Sequence, residues 1–142
     1  MHEIIFTSTK FPVIPHEDEE INPGILGRSV ADWITESLSG TRFQVTEHIN
    51  EDFGHCLMVH RKPYWLWIGC SGCSDYPYEE NGLNERVARS FPLASIEWRI
   101  FVSTEGGLLS RLLRRDRRSA DKKELLALLK TRLSALPHVT FR

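Results

Sequence analysis

Two cysteines in the chain have a spacing that is typical of metal-binding and redox sites. Cys70 and Cys73 are separated by two residues, as in zinc knuckles and dithiol redox sites, where a tight turn brings both sulfurs together. A structural zinc site needs two more ligands, and nearby donors occur only on the preceding predicted strand: His55, Cys56 and His60. A redox site favours a helix directly after the motif, whereas the residues after Cys73 are typical of a loop. We therefore expect neither a metal nor a cofactor, with one cysteine buried at a strand end and the other in a loop.

The sequence contains no motif typical of a hydrolase or of a phosphate-binding loop. The six histidines are scattered without an H-E-x-x-H pattern, and Gly69-Cys70-Ser71-Gly72 lacks the second glycine of a nucleophile elbow. Neither a P-loop motif nor the glycine motif of dinucleotide-binding proteins occurs. We therefore assign no catalytic residue, and a catalytic pair assembled only by folding stays open.

The charge of the chain is almost balanced, with 18 Lys and Arg residues against 19 Asp and Glu residues. Such a balance provides no long-range field for nucleic acid or membrane lipids. The strongest local charge is a basic run from Arg111 to Lys123, and residues 108–123 contain no aromatic side chain that could stack on bases. We interpret the run as a solvated helix start or loop, with an RNA or DNA contact as the alternative.

Four adjacent acidic residues, Glu17, Asp18, Glu19 and Glu20, fall in a loop that we expect to be exposed. Adjacent carboxylates repel one another unless a cation or a basic partner is near. The run therefore suits docking onto a basic protein surface, such as that of a nucleic-acid-degrading toxin. A solvated loop without a partner is the alternative.

Aromatic residues of two predicted strands alternate between opposite faces. Tyr64, Leu66 and Ile68 share one side of their strand, which places Trp65 and Trp67 on the other. A later strand adds candidates to that second side: Glu97, Arg99 and Phe101. If helices cover the first side, the second presents large aromatics beside an arginine, the composition of a protein-binding hot spot. The alternative is a minor core covered by the long loop that follows the tryptophans.

Hydrophobic periodicity and turn residues predict the element order β-α-β-β-β-β-α-β. The expected strands cover residues 3–9, 42–47, 56–60, 64–70, 96–103 and 138–142. The expected helices begin at Asn22 and Ser119, with a further short helical turn over residues 83–89. The pattern predicts an α+β fold, namely a single two-layer domain with a mainly antiparallel sheet and two helices on one face. Residues 71–93 form a loop that is long for a compact domain, so we expect it to be functional or mobile.

Length and composition indicate one folded domain over residues 1–142, because 41% of the residues are hydrophobic and 26% are charged. No apolar run approaches the roughly 20 residues that cross a bilayer, and the first residues do not resemble a signal peptide. Three cysteines are an odd number and do not indicate a disulfide framework. We therefore expect a cytoplasmic protein.

Three short segments carry a resemblance to a bacterial group. They are Asn22 to Gly27 before a helix with Trp33, Glu51 to Cys56, and Trp67 to Gly72. Together they resemble small α+β proteins encoded beside polymorphic or secretion-system toxins as immunity proteins. The likeness spans about residues 22–102. It implies binding of a toxin and brings no catalytic residue with it.

Two functions are therefore expected. The first is a non-catalytic immunity or antitoxin-like protein that blocks a cognate toxin through the acidic run and the aromatic side of the sheet. The second is a small enzyme or ligand-binding domain with a site beneath the 71–93 loop. Candidate polar groups for that second site are His55, Asp75, Glu79 and Arg99. A binding protein tolerates the loss of any one titratable residue, whereas an enzyme loses activity on a single change.

Overall fold

A computed structural model describes residues 1–78, 82–105 and 108–142, with residues 108–116 described as helical backbone only. The described residues form a six-stranded sheet in the order β2-β3-β4-β5-β1-β6. All neighbouring strands pair antiparallel. The strands are β1 (Glu3–Ser8), β2 (Glu47–Glu51), β3 (Gly54–His60), β4 (Trp65–Cys73), β5 (Glu97–Glu105) and β6 (Val139–Phe141). The predicted α+β fold with an antiparallel sheet is confirmed.

Helices cover one side of this sheet. The helices are α1 (Arg28–Ser37), α2 (Glu85–Ser90) and α3 (Leu108–Ser134), with 3₁₀ turns at Glu17–Glu20 and Leu93–Ser95. Both α1 and α3 contribute to a core that also contains the even-numbered side chains of β1, β4 and β5. Its strand members include Phe6, Leu66, Ile68, Trp98 and Ile100. Burial of each such side chain favours folding by about 1.5–3 kcal/mol, so these contacts fix α1 and α3 to one face.

Side-chain parity decides which residues remain on the other face. On β5, Trp98, Ile100 and Val102 are buried in the core, so the odd-numbered residues point away from the helices. On β4, Leu66 and Ile68 are likewise buried in the core. The face formed by the odd-numbered residues of β4 and β5 is called the open face below.

Several predicted boundaries are wrong, and three elements differ most from the prediction. The first helix begins at Arg28 rather than Asn22, because the N-terminus of α1 is capped by a distant carboxylate described below. Helix α3 begins at Leu108 rather than Ser119, since the Leu- and Arg-rich run before Ser119 consists of strong helix formers. A strand expected at residues 42–47 lies instead at Glu47–Glu51 and is held by its pairing with β3.

The basic run from Arg111 to Lys123 lies in the N-terminal half of α3 rather than in a loop. Arg118, one of its members, donates a hydrogen bond of 3.1 Å to the carbonyl of Thr104, and its guanidinium lies 5.9 Å from the ring centre of Tyr64. At least this arginine therefore binds within the chain. Among the described residues, no helix combines the length and apolar character that a membrane span requires.

Candidate protein-binding face of the sheet

The open face exposes aromatic side chains, as the strand pattern predicts. Trp65 is 44% exposed, and Trp67 and Phe101 are half-buried. The described residues of the 71–93 loop do not form a second core over them. Leu83, Ala88 and Phe91 of that loop join the helix-side core instead. Within the described part of the chain, the open face therefore remains accessible at its aromatic centre.

Three rings form the centre of the open face. The ring of Trp67 lies 5.6 Å from that of Phe101, and Phe53 lies 6.0 Å and 5.5 Å from these two rings. Phe53 belongs to the turn between β2 and β3, so the sequence pattern of strands did not reveal it. Aromatic pairs at such distances contribute about 0.5–1.5 kcal/mol beyond their buried area, which holds the rings in place.

The ring of Phe101 packs directly over Gly69 of the neighbouring strand. The two residues are directly paired across β4 and β5, and a Cβ atom at Gly69 would lie only 2.2 Å from Cζ of Phe101. We expect Gly69→Ala to displace this ring and to lower the free energy of unfolding by about 1–3 kcal/mol. Chemical denaturation measures the effect, and in a Phe101→Ala background the same change should cost much less. Equal costs in both backgrounds would contradict this packing.

A groove of about 430 Å³ lies beside these rings on the open face. Cys56 and Met58 of β3 form its buried floor, with 6% and 2% of their surface exposed. Its aromatic walls are Phe53, Trp65 and Trp67, and its acidic lining residues are Glu51 and Glu105. Strand alternation predicts the two tryptophans but not the floor or the acids, which are brought to one place by the pairing of β2 with β3 and of β3 and β5 with β4.

Ion pairs occupy the opposite end of the open face. Arg99 lies 3.2 Å from Glu3 and 3.7 Å from Glu97, and Glu97 also pairs with Arg142. Arg99 and Glu97 are opposite Ser71 and Cys73 in the β4–β5 register, whereas Trp65 is opposite Glu105. The predicted residues thus share one face, but Glu97 and Arg99 bind each other and lie away from the groove.

The expectation that the whole acidic run is exposed is wrong for Glu17 and Asp18, which are 5% and 6% exposed. The Glu17 carboxylate accepts hydrogen bonds from the backbone N–H groups of Ile14 at 2.6 Å, Gly27 at 2.9 Å and Arg28 at 3.1 Å. Gly27 is the N-cap of α1 and has no side chain to cap the helix, so Glu17 supplies the missing acceptor.

Asp18 is also bound within the chain. Its carboxylate accepts hydrogen bonds from the backbone N–H of Gly24 at 3.1 Å and from the hydroxyl of Tyr78 at 3.0 Å. Glu19 and Glu20 remain exposed, and they pair with His16 and Arg28. The run caps α1 on the helix side of the sheet, so it does not extend the open face.

The three described polar groups among those considered for an enzyme do not converge. Asp75 lines a cavity of about 700 Å³ together with Asp18 and Tyr78. His55 is paired with Cys70 on the helix side, and Arg99 points to the open face. Glu79 lies outside the described residues. The grouping of His55, Asp75 and Arg99 into one site is therefore wrong.

His55, which is buried, instead forms a hydrogen-bonded pair with the more exposed His48. His48 Nε2 and His55 Nδ1 share a hydrogen bond of 2.7 Å, and Nε2 of His55 is buried without a partner among the described residues. Burial, with smaller contributions from the neighbouring His48 and Arg28, lowers the pKa of His55 to about 4. Burial also lowers the pKa of His48. Both rings are therefore neutral at pH 7.

The cysteines do not form a reactive pair. Cys70 is fully buried and Cys73 is exposed at the end of β4, which extends three residues beyond its predicted end. Cys73 therefore ends a strand rather than lying in a loop. Burial, reinforced by Glu51, Glu105 and Glu47, raises the pKa of Cys56 to about 11, and burial also raises the pKa of Cys70. Among the described residues, no three His, Cys, Asp or Glu side chains are grouped as metal ligands.

Comparisons with known proteins identify no relative. No protein-family model matches the chain, and no curated protein or solved structure shows significant similarity to it. The basis for inferring a function is therefore the geometry of the open face.

Proposed function

We propose that the protein is a non-catalytic binding protein, namely a cytoplasmic immunity or antitoxin protein that neutralises a cognate bacterial toxin. The observation that carries this proposal is the uncovered aromatic centre of the open face, formed by Phe53, Trp65, Trp67 and Phe101. Contiguous aromatic surface is costly to leave in water and is typical of protein interfaces. Tryptophan and tyrosine supply most binding free energy in such interfaces because they bury a large area at small entropic cost.

The chemistry of the open face favours binding over catalysis. The Cys56 thiol on the groove floor is protonated at neutral pH because burial and nearby carboxylates raise its pKa to about 11. The arginines of this face are paired with carboxylates, since Arg61 lies 2.7 Å from Glu47 and Arg99 lies 3.2 Å from Glu3. No pair of a nucleophile and a base is formed by these groups.

The acidic lining of the groove supports a basic partner. Glu51 and Glu105 are exposed beside the aromatic rings, where they complement the positive surface of a toxin that binds nucleic acid. Glu19 and Glu20 offer further exposed carboxylates on another side of the molecule. The protein's own charge is almost balanced, so attraction to such a partner depends on these local groups.

A ligand-binding domain with a site beneath the 71–93 loop is the second candidate function. The observation in its favour is the cavity of about 700 Å³ beside the buried Asp18 carboxylate and the Tyr78 hydroxyl. Pockets of this size accommodate small molecules. Tyr76 lines this cavity and is 36% exposed, so substitutions there separate the two candidates.

Co-purification with the product of the adjacent gene, followed by titration calorimetry, tests the first proposal. We expect Trp65→Ala and Trp67→Ala each to weaken the complex by about 30-fold or more, because a buried aromatic anchor contributes about 2 kcal/mol. The matched control is Tyr76→Ala, another exposed aromatic, which should leave the affinity within about threefold. Circular dichroism verifies that each variant is folded. Full affinity in both tryptophan variants would contradict the proposal.

A further inference from the structure

The groove on the open face combines an apolar floor with aromatic walls. Cys56 and Met58 are buried beneath it, and the indoles of Trp65 and Trp67 line it. Its volume of about 430 Å³ is ample for one long side chain of a partner. Methionine and tryptophan provide polarisable surfaces that pack well against the aliphatic stem of lysine or arginine.

Two carboxylates and one arginine line the groove, and the charge of that arginine, Arg61, is already paired with Glu47. Glu51 and Glu105 both line it, and in the described part of the chain no Lys, Arg or His nitrogen lies within 4.0 Å of either carboxylate. Their charge acts at the floor, since both glutamates contribute to the raised pKa of the Cys56 thiol after the larger effect of burial. A cation in the groove would therefore be attracted from both sides.

An arginine of the chain itself shows how this face holds a cation. The guanidinium of Arg61 lies 2.7 Å from Glu47 and 5.6 Å from the ring centre of Trp65. This arrangement combines an ion pair with a cation–π contact on the rim of the groove. Glu51, Glu105 and Trp67 offer the same two kinds of group next to it.

We propose that the groove is the pocket for one basic side chain, arginine or lysine, presented by the partner protein. The aliphatic stem packs on Met58 and between the indoles, and the cationic head binds Glu51 and Glu105. This inference rests on the proposed function, since it names the chemistry that the partner brings to the open face. Arginine fits best, because its planar guanidinium stacks on an indole while donating hydrogen bonds to carboxylates.

A single-residue probe tests the chemistry of the groove without the partner. N-acetyl-arginine-methylamide is titrated into the ¹⁵N-labelled protein, and the indole N–H signals of Trp65 and Trp67 are followed by NMR. The neutral isostere N-acetyl-citrulline-methylamide is the matched ligand control. We expect the arginine probe to shift both signals and the citrulline probe to do so at least about fivefold less at equal concentration. Equal shifts with both probes would overturn the proposal.

The matched protein variants are Glu51→Gln/Glu105→Gln and the control Glu36→Gln/Glu85→Gln, which removes two exposed carboxylates from helices. We expect the first double variant to weaken probe binding about fivefold or more and to weaken the partner complex about tenfold or more. The control should retain both affinities. Addition of salt should weaken the wild-type complex more than that of the first double variant, because fewer charges remain to be screened.

The variants show separately whether the proposal about the groove is wrong and whether the proposed function is wrong. If Trp65→Ala weakens the partner complex and Glu51→Gln/Glu105→Gln does not, the proposal that the groove binds a basic side chain is overturned. The proposal that the open face binds the partner then stands. If neither weakens it, both proposals fail. If the double variant loses the arginine probe but binds the partner unchanged, the pocket binds small cations only and the inference about the partner is overturned.

Discussion

Replacement of Glu17 by alanine will lower the free energy of unfolding by about 3 kcal/mol. The Glu17 carboxylate accepts hydrogen bonds from three backbone N–H groups, and its side chain is 5% exposed. Alanine leaves these donors without their acceptor, including two at the N-terminus of α1. An unsatisfied buried donor costs about 1–3 kcal/mol, and water that enters the cavity compensates part of the total.

Denaturation by urea measures this effect, and the acidic run provides its own control. Glu19 lies two residues away, has an exposed side chain and pairs with the exposed His16. Glu19→Ala should therefore change stability by less than about 0.5 kcal/mol. Similar costs for Glu17→Ala and Glu19→Ala would show that the run is a solvated loop and that Glu17 does not cap α1.

Acid will destabilise the protein strongly through His55. We expect the protein to lose about 3 kcal/mol of stability through this residue as the pH falls from about 6.5 to about 4. The unfolded chain binds a proton at His55 near pH 6.5, whereas the folded chain does so only near pH 4. Within this range the unfolded state holds more protons, so acidification favours unfolding. Above pH 6.5 both states are neutral at His55 and the contribution is constant.

Other groups with shifted pKa values also make stability depend on pH, so the effect of His55 must be measured by comparing variants. Burial lowers the pKa of His48 in the same direction as that of His55. Burial raises the pKa of Glu17, so the folded state binds a proton there more tightly than the unfolded state, which opposes the histidine effect at acidic pH. A comparison of variants isolates the contribution of His55 from that of Glu17.

Urea denaturation at a series of pH values checks the prediction with His55→Gln and the control His2→Gln. We expect the stability of His55→Gln to fall by about 2–3 kcal/mol less than that of the wild type between pH 6.5 and pH 4. His2 is exposed near the N-terminus, so its variant should follow the wild type. Parallel curves for wild type and His55→Gln would contradict the burial of a neutral imidazole at this position.

The open face was predictable because strand parity is a local property of the sequence. Alternation on β5 places Trp98 and Ile100 in the core, and the same alternation on β4 leaves Trp65 and Trp67 on the other side. Neither assignment depends on exact strand ends, which differ from the prediction by up to three residues on β4. The two-layer arrangement then determines which side remains open.

Other features of the site were not predictable because they depend on contacts between distant residues. Glu17 caps a helix that begins eleven positions later at Arg28, so no local capping pattern identifies it. Strand β2 is mostly polar and exposed, and only its register with β3 places Glu51 near the groove. Phe53 lies in a turn, where strand alternation gives no direction for a side chain.

The start of α3 was not predicted because two features of the sequence before Ser119 favour different structures. Residues 108–118 are rich in leucine and arginine, which favour helix, yet the charge of the run suggested a solvated loop. The preference of serine for N-cap positions predicts a helix start at Ser119, but this residue lies within the helix. Composition was therefore a better guide than the capping residue.

Hydroxyl-radical footprinting of the complex with the adjacent gene product tests the central claim most directly. We expect oxidation of Trp65, Trp67 and Phe53 to slow about threefold or more when the partner binds, since a protein interface excludes water from its aromatic anchors. Tyr76 should be oxidised at the same rate with and without the partner. Unchanged oxidation of both tryptophans, with protection of Tyr76, would contradict docking on the open face and favour the cavity beneath the 71–93 loop.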